Sequence, residues 1–169
     1  MEMKEEKLKT KLGIMNLYSK KTKILISSCL FGQNVRYDGI TKGLDNNLLE
    51  KLAKKFELIP FCPEVESGLS IPRIACEIVS IKPLKIINKI GEEKTKNFID
   101  GANLTLELCQ KENIKIALLK ANSPSCSSKQ IYDGCFSGKK IAGYGVTAEL
   151  LKNNNIKIYD ENDIFLLLD

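Results

Sequence analysis

KILISSCL, residues 23–30, is the stretch on which the fold turns. Ile24, Leu25 and Ile26 are consecutive apolar residues, too few for a helix and without the alternation of a strand that has one wet face. A strand buried on both faces reads this way, and such strands belong to parallel sheets covered by helices on both sides. Two similar runs follow, ELIPFC at 57–62 and IKIALL at 114–119. Helical spacing appears between them: Leu48, Leu49, Leu52, Ala53 and Phe56 fall on one face of a segment from Asn46 to Phe56, with Asp45 or Asn46 as N-cap. A long helix is predicted over Glu92–Glu112, although Gly101 in its interior costs about 1 kcal/mol relative to Ala. Ile78–Ile81 and Lys85–Ile90 read as extended pieces, Val146–Lys152 as a helix, Ile156–Tyr159 as a strand and Asn162–Leu168 as a closing helical segment. Strands alternating with amphipathic helices predict an α/β fold: a three-layer α/β/α domain with a mostly parallel sheet, Rossmann-like or flavodoxin-like in type.

The 169 residues suit one compact domain at about 100 to 200 residues per domain, and 43% apolar with 28% charged residues is ordinary for a globular chain. The net charge of +5 is uneven. Residues 1–23 hold seven lysines and three glutamates, so the remainder is almost neutral. Residues 1–22 are therefore read as a basic N-terminal extension and 23–169 as the domain. Within the extension Leu8, Leu12 and Met15 fall at helical spacing, while Gly13 and the flanking lysines suit a frayed tail. Nothing approaches the ~20 apolar residues of a membrane span, and the first residues lack the apolar core of a secretory signal. A cytoplasmic protein with reduced thiols is expected, and in that setting cysteines more often mean metal or reactivity than disulfides.

The chain has six cysteines and no histidine. That zero excludes Ser-His-Asp and Cys-His nucleophiles, an imidazole base and histidine-ligated metals. Cys29 follows ILISS, Cys62 ends ELIPF, and Cys126 lies just after IALLK in the loop Asn122-Ser-Pro-Ser-Cys126. In an open parallel sheet, ligands bind beyond the carboxyl ends of the strands, so thiols 33 and 64 residues apart can meet at one point. A free cysteine is usually a small buried hydrophobe. Cys109, on the apolar side of a helix, is read so, and Cys76 and Cys135 are also assigned structural roles. Three thiolates without imidazole do not complete a four-ligand structural zinc site. They suit zinc, copper(I) or an iron-sulfur cluster, and a cubane held by three cysteines leaves one iron open as a Lewis acid. Chemistry alone does not separate a cluster from a three-thiolate zinc.

Arg36 and Arg73 are the only arginines beside twenty-four lysines, each shortly after one of these cysteines. A planar fork of donors suits a carboxylate or phosphate, whether on a substrate or on a neighbour such as Asp38 or Glu64. Glu64 stands two residues after Cys62 and Ser123 three before Cys126. A carboxylate there can take a proton from water and a hydroxyl can hold substrate. Glycines in Ala142-Gly-Tyr-Gly-Val146 precede a helix whose amides offer an anion site, with helix packing as the other explanation. Tyr132–Gly138 reads as a turn-rich loop.

Taken together, CLFGQNVRYDG (29–39), CPEVESGLSIPR (62–73), SPSC (123–126), YDGCFSG (132–138) and GYGVTAELL (143–151) resemble the thiouracil desulfidase family, in order and over about residues 23–161. The resemblance implies an oxygen-sensitive 4Fe-4S cluster held by Cys29, Cys62 and Cys126 with one open iron, and catalytic roles for Glu64 and Ser123. It implies non-redox desulfuration of 4-thiouracil, 4-thiouridine or its monophosphate, with the open iron taking the substrate sulfur, water attacking carbon, and sulfide released. Ser28, Arg36, Asp38 and Arg73 are the expected substrate-binding residues. The chain departs from the family pattern at Ser127, where a glycine is expected after SPSC, at Cys135 in a threonine-like position, and at Ser67 in place of a second glycine. Some relatives carry an RNA-binding domain and act on thiolated tRNA. This chain ends at Asp169 with a nearly neutral body, so the expected partner is a small thiolated uracil base, nucleoside or nucleotide rather than nucleic acid or membrane. A non-catalytic sulfur or iron-sulfur carrier, and action on thiolated tRNA, are the alternatives.

Overall fold

A computed structural model describes residues 21–169. Leu8, Leu12 and Met15, whose spacing left a short helix or a frayed tail open, lie outside the described residues. The central sheet has four strands, β1 (Thr22–Ser27), β2 (Phe56–Phe61), β5 (Ile116–Leu119) and β8 (Lys157–Asp160), in the order β2-β1-β5-β8. All neighbours are parallel, with Ile24 opposite Leu58, Leu25 opposite Ala117 and Leu118 opposite Tyr159.

Burial on both faces explains the unbroken apolar strands. On one face Ile24, Ile26 and Leu118 pack with Leu52 of helix α1 (Asn46–Lys55) and with Ile164 and Leu167 of α5 (Ile164–Leu168). On the other, Leu25, Ala117 and Leu119 pack with Cys109 of α3 (Thr95–Lys111) and with Ala148 and Leu151 of α4 (Val146–Asn153). This is the three-layer α/β/α arrangement, and each fully buried Leu or Ile contributes about 1.5 to 3 kcal/mol of transfer free energy. The N-cap of α1 is Asp45, whose carboxylate accepts the Asn47 amide at 2.9 Å. Helix α3 starts at Thr95, three residues later than its periodicity predicts. Asn88 accounts for the difference: its Oδ1 accepts the amides of Ile90 and Glu92 and holds that stretch as a turn.

A one-turn helix and a second hairpin were not legible beforehand, whereas the extended pieces expected over Ile78–Ile81 and Lys85–Ile90 are strands whose pairing outside the main sheet was not foreseen. Helix α2 (Pro63–Glu66) is a single turn directly after β2. Strands β3 (Cys76–Ile81) and β4 (Leu84–Asn88) form an antiparallel hairpin outside the main sheet, and β6 (Gln130–Tyr132) and β7 (Lys140–Ala142) form another. The loop predicted over Tyr132–Gly138 is largely the turn of that second hairpin. Ile78, Ile86, Phe98 and Ile131 join the hairpins to α3 in a satellite core. Because β1 is flanked by β2 on one side and β5 on the other, the winding reverses beside it, and the crevice beyond its carboxyl end is the expected binding position.

Gly101 looked costly within a helix, and the structure shows its use. A Cβ there would lie 2.3 Å from the carbonyl oxygen of Pro63, so the glycine lets α3 rest directly on α2. Overpacking costs about 1 to 3 kcal/mol and exceeds the ~1 kcal/mol gain in helix propensity. Gly101→Ala is therefore expected to lower unfolding stability by ~1 to 2 kcal/mol in denaturant titration; a gain in stability would show that the close approach does not matter.

Candidate functional site

A cavity of about 410 Å³ opens beyond the carboxyl ends of β1, β2 and β5. At the end of β1, the Ser27 hydroxyl accepts the Lys120 amide at 3.0 Å and the Ser28 amide donates to the Phe61 carbonyl at 3.1 Å. These bonds fasten β1 to both neighbours where Cys29 begins the turn. The Cys29 carbonyl accepts the Thr41 hydroxyl at 3.0 Å, and Ser28 and Cys29 both line the cavity.

Cys62 is the N-cap residue of α2, with Pro63 in the first helical position, a place where proline's fixed φ and missing N–H carry no penalty. The helical turn carries Glu64 to the cavity wall. Arg73 reaches its Oε2 through Nε at 2.9 Å and Nη2 at 2.7 Å, and gives Nη1 to the carbonyls of Val35 and Ser70 at 3.1 Å each. With side-chain exposures of 8% and 15%, this is a shielded pair that stitches the loop after β1 to the turn after β2.

In the loop after β5 the Ser123 hydroxyl accepts the amides of Ser125 and Cys126, each at 3.1 Å. Both of its acceptor positions are filled, so its own proton is the group left to donate. Ser127 accepts the Asn122 amide at 3.1 Å and donates to the Gln130 carbonyl at 2.6 Å, closing the loop that presents Cys126. The Ser67 hydroxyl donates to the Glu64 carbonyl at 2.8 Å. Both serines at family-glycine positions are thus used locally.

The suggestion that the glycines before α4 offer an anion site is overturned. The amides of Val146 and Thr147 donate to the carbonyls of Pro124 and Ser125 at 3.0 and 2.9 Å. A Cβ on Gly145 would fall 2.5 Å from the Ser125 carbonyl oxygen, so this glycine allows helix α4 to seat on the Cys126 loop.

Burial pushes the Cys29 thiol up to about 11, and it pushes Cys62 and Cys126 up as well. Charge at Cys62 raises both Cys29 and Cys126, so the three groups lie within electrostatic reach of one another. Among the described residues, however, no three His, Cys, Asp or Glu side chains are gathered to hold one metal ion. Three thiols on the wall of one cavity are donors of the type that hold an iron-sulfur cluster.

Arg36 and Arg73 line the cavity, but both are occupied. Arg36 donates to Asp38 Oδ1 and Oδ2 at 3.2 and 2.9 Å, and Asp38 itself is not a lining residue. Lys120 is paired with Glu161. Lining residues not anticipated as site groups include Lys42, Cys76, Glu77 and Tyr132. Cys76, expected to be structural, borders the cavity, and Cys135, expected likewise, is exposed. Cys109 is buried in the core. Cys76, Glu77 and Tyr132 reach the cavity through the two hairpins, whose docking leaves no periodic signal in the sequence.

A family model described as 2-thiouracil desulfurase matches residues 24–163. The chain is 39% identical over 148 residues to the protein YbbK of Bacillus subtilis (strain 168), covering 83% of this chain and 97% of YbbK. The solved structure of the 4Fe-4S-dependent thiouracil desulfidase TudS matches with a TM-score of 0.81 and 41% identity, over 88% of this chain and 98% of that one.

Proposed function

This chain belongs to the 2-thiouracil desulfurase family, and on that premise we propose that it is an iron-sulfur-dependent desulfidase that hydrolyses a thiolated uracil to the uracil form. One water enters, the carbon–sulfur bond breaks, a carbon–oxygen bond forms and sulfide leaves, with no net redox change. The observation that carries this reading is that Cys29, Cys62, Cys126, Glu64 and Ser123, from three strand ends, line one cavity.

In this reading Cys29, Cys62 and Cys126 hold a 4Fe-4S cluster. When bound, a cluster with one iron free of protein ligands supplies a Lewis acid suited to a soft sulfur. Glu64 is the base for the attacking water: Arg73 holds its Oε2, which leaves Oε1 to take the proton. Ser123 turns its hydroxyl proton toward the substrate, because two amides already fill its acceptor positions. Ser28 lines the cavity beside Cys29 and Arg73 positions Glu64. Asp38 acts through Arg36.

The substrate is a small thiolated uracil base, nucleoside or nucleotide. For a phosphate the arginines are poorly placed, since each already binds a carboxylate. Lys42 is exposed, lines the cavity and has no ion pair among the described residues, so it is the cation assigned to a nucleotide phosphate.

The test is anaerobic reconstitution followed by parallel sulfide-release assays on 4-thiouracil, 4-thiouridine, its monophosphate and thiolated tRNA. A brown protein active on the small substrates is expected; a colourless protein binding one zinc, or one active only on tRNA, overturns the reading. Lys42→Ala is expected to raise KM for the monophosphate ~10-fold, the scale of one charge-assisted hydrogen bond, and to leave KM for the free base unchanged.

A further inference from the structure

Glu77 is the second carboxylate on the cavity wall, and the reaction outlined above makes no use of it. It follows Cys76 at the start of β3, is only 8% exposed and lines the cavity. Its Oε2 accepts the Phe136 amide at 3.0 Å. Phe136 belongs to the turn between β6 and β7 and has a φ of 54°. Gly134 in the same turn has a φ of +81°, and a Cβ there would lie 2.6 Å from the Ile78 carbonyl oxygen. The turn is thus pressed onto β3, and that approach delivers the amide to Glu77.

The other carboxylate oxygen, Oε1, has no hydrogen-bond partner among the described residues and is not sealed from solvent. In a side chain this buried, the space it opens onto is the cavity. No cation among the described residues neutralises it: Arg73 is on Glu64, Arg36 on Asp38 and Lys120 on Glu161. An ionised carboxylate accepts hydrogen bonds and donates none, so this oxygen calls for an N–H or O–H on whatever enters.

We propose that Glu77 recognises the ring N–H that lies between the two carbonyl or thiocarbonyl carbons of a uracil-type ring, and so selects thiouracils over thiocytosines. The inference rests on the desulfidase reading and adds a specificity-determining residue to it. Uracil and both its thio isomers carry a proton at that ring nitrogen. A cytosine-type ring carries a lone pair there, which a carboxylate repels. Accepting the N–H also fixes the rotation of the ring about its own plane, which determines whether the carbon–sulfur group is presented to the thiols and Glu64.

The decisive variant is Glu77→Gln. The side-chain oxygen of the glutamine must remain on the Phe136 amide, because the opposite orientation sets two donors against each other. The turn therefore keeps its anchor, while an NH2 donor replaces the acceptor that faced the cavity. Binding of uridine, 3-methyluridine and cytidine to the anaerobically reconstituted protein is measured by calorimetry, with thermal unfolding and sulfide release from 4-thiouridine in parallel. Wild type is expected to bind uridine at least ~10-fold tighter than either analogue, in keeping with a charge-assisted hydrogen bond. Glu77→Gln is expected to lose that preference with an unchanged unfolding temperature. Equal binding of uridine and 3-methyluridine by wild type overturns the proposal without need of any variant, and so does a preference retained by Glu77→Gln. If sulfide is still released, the role of Glu77 alone has failed. If wild type neither releases sulfide nor binds uridine, the desulfidase reading has failed with it.

Discussion

Glu64→Gln is expected to reduce kcat by ~10²- to 10⁴-fold, the range that a positioned general base supplies, while iron and sulfide content stay at wild-type levels. The substitution keeps the shape of the side chain and an oxygen for Arg73, but removes the basic carboxylate that takes the proton from water. Arg73 retains its bonds to the carbonyls of Val35 and Ser70, so the loop it ties down stays in place. The replacement of a charged hydrogen-bond acceptor by a neutral one is expected to cost about 1 to 3 kcal/mol in unfolding stability. Steady-state rates, metal and sulfide analysis, and denaturant unfolding on one preparation check the three statements in turn. A variant that turns over within a few-fold of wild type would remove Glu64 from the chemistry, and a variant that loses its iron would make it a determinant of the cluster instead.

The second large effect concerns the thiols. Cys29→Ala, Cys62→Ala and Cys126→Ala are each expected to abolish the brown colour and the activity together, whereas Cys109→Ala and Cys135→Ala retain both. Cys109 is buried among Leu25, Ile114 and Leu151, and its loss is a matter of core packing. Cys135 is exposed on the β6–β7 turn. Loading also depends on pH in a definite direction. Burial holds the Cys29 thiol up at about 11 and raises Cys62 and Cys126, so near neutral pH all three are protonated before iron binds. Thiolate is the ligand, and binding must expel those protons. The apparent affinity for the cluster therefore rises with pH by up to ~10-fold per pH unit for each thiol that releases a proton, as linkage requires. Reconstitution yields across a pH series measure this, and a yield that falls between pH 6 and 8 would contradict it.

Several features of the fold were legible because they depend on local pattern. The apolar runs at 24–26, 58–61 and 116–119 are strands, since nothing else buries so short a segment on both faces. The Asn46–Lys55 helix was legible from its apolar spacing and its Asp45 cap. Cysteines in the turns and loops that follow three such strands come to one end of a parallel sheet by topology alone. The hairpins were less legible. β6 and β7 have three residues each, and what holds them is the docking of Ile131 onto Ile78 and Phe98, a contact between distant segments. Gly101 and Gly145 show the same limit, because a glycine that costs helix propensity is explained only by the Pro63 and Ser125 carbonyls packed against it.

From its sequence alone this protein is a parallel α/β domain with three thiols, a glutamate and a serine gathered at the carboxyl end of its sheet, because strand period, helix period and winding order are properties of the chain. Only the tertiary structure decided which charged groups remain free. Arg36 and Arg73, for which the sequence allowed either a substrate anion or a neighbouring carboxylate, are held by Asp38 and Glu64, and Lys120 is held by Glu161 across forty-one residues. Glu77, which the sequence placed in no site, lines the cavity and has one oxygen without a partner among the described residues. Charge pairing depends on distances between side chains from separate elements, and those distances exist only once the layers and hairpins have packed.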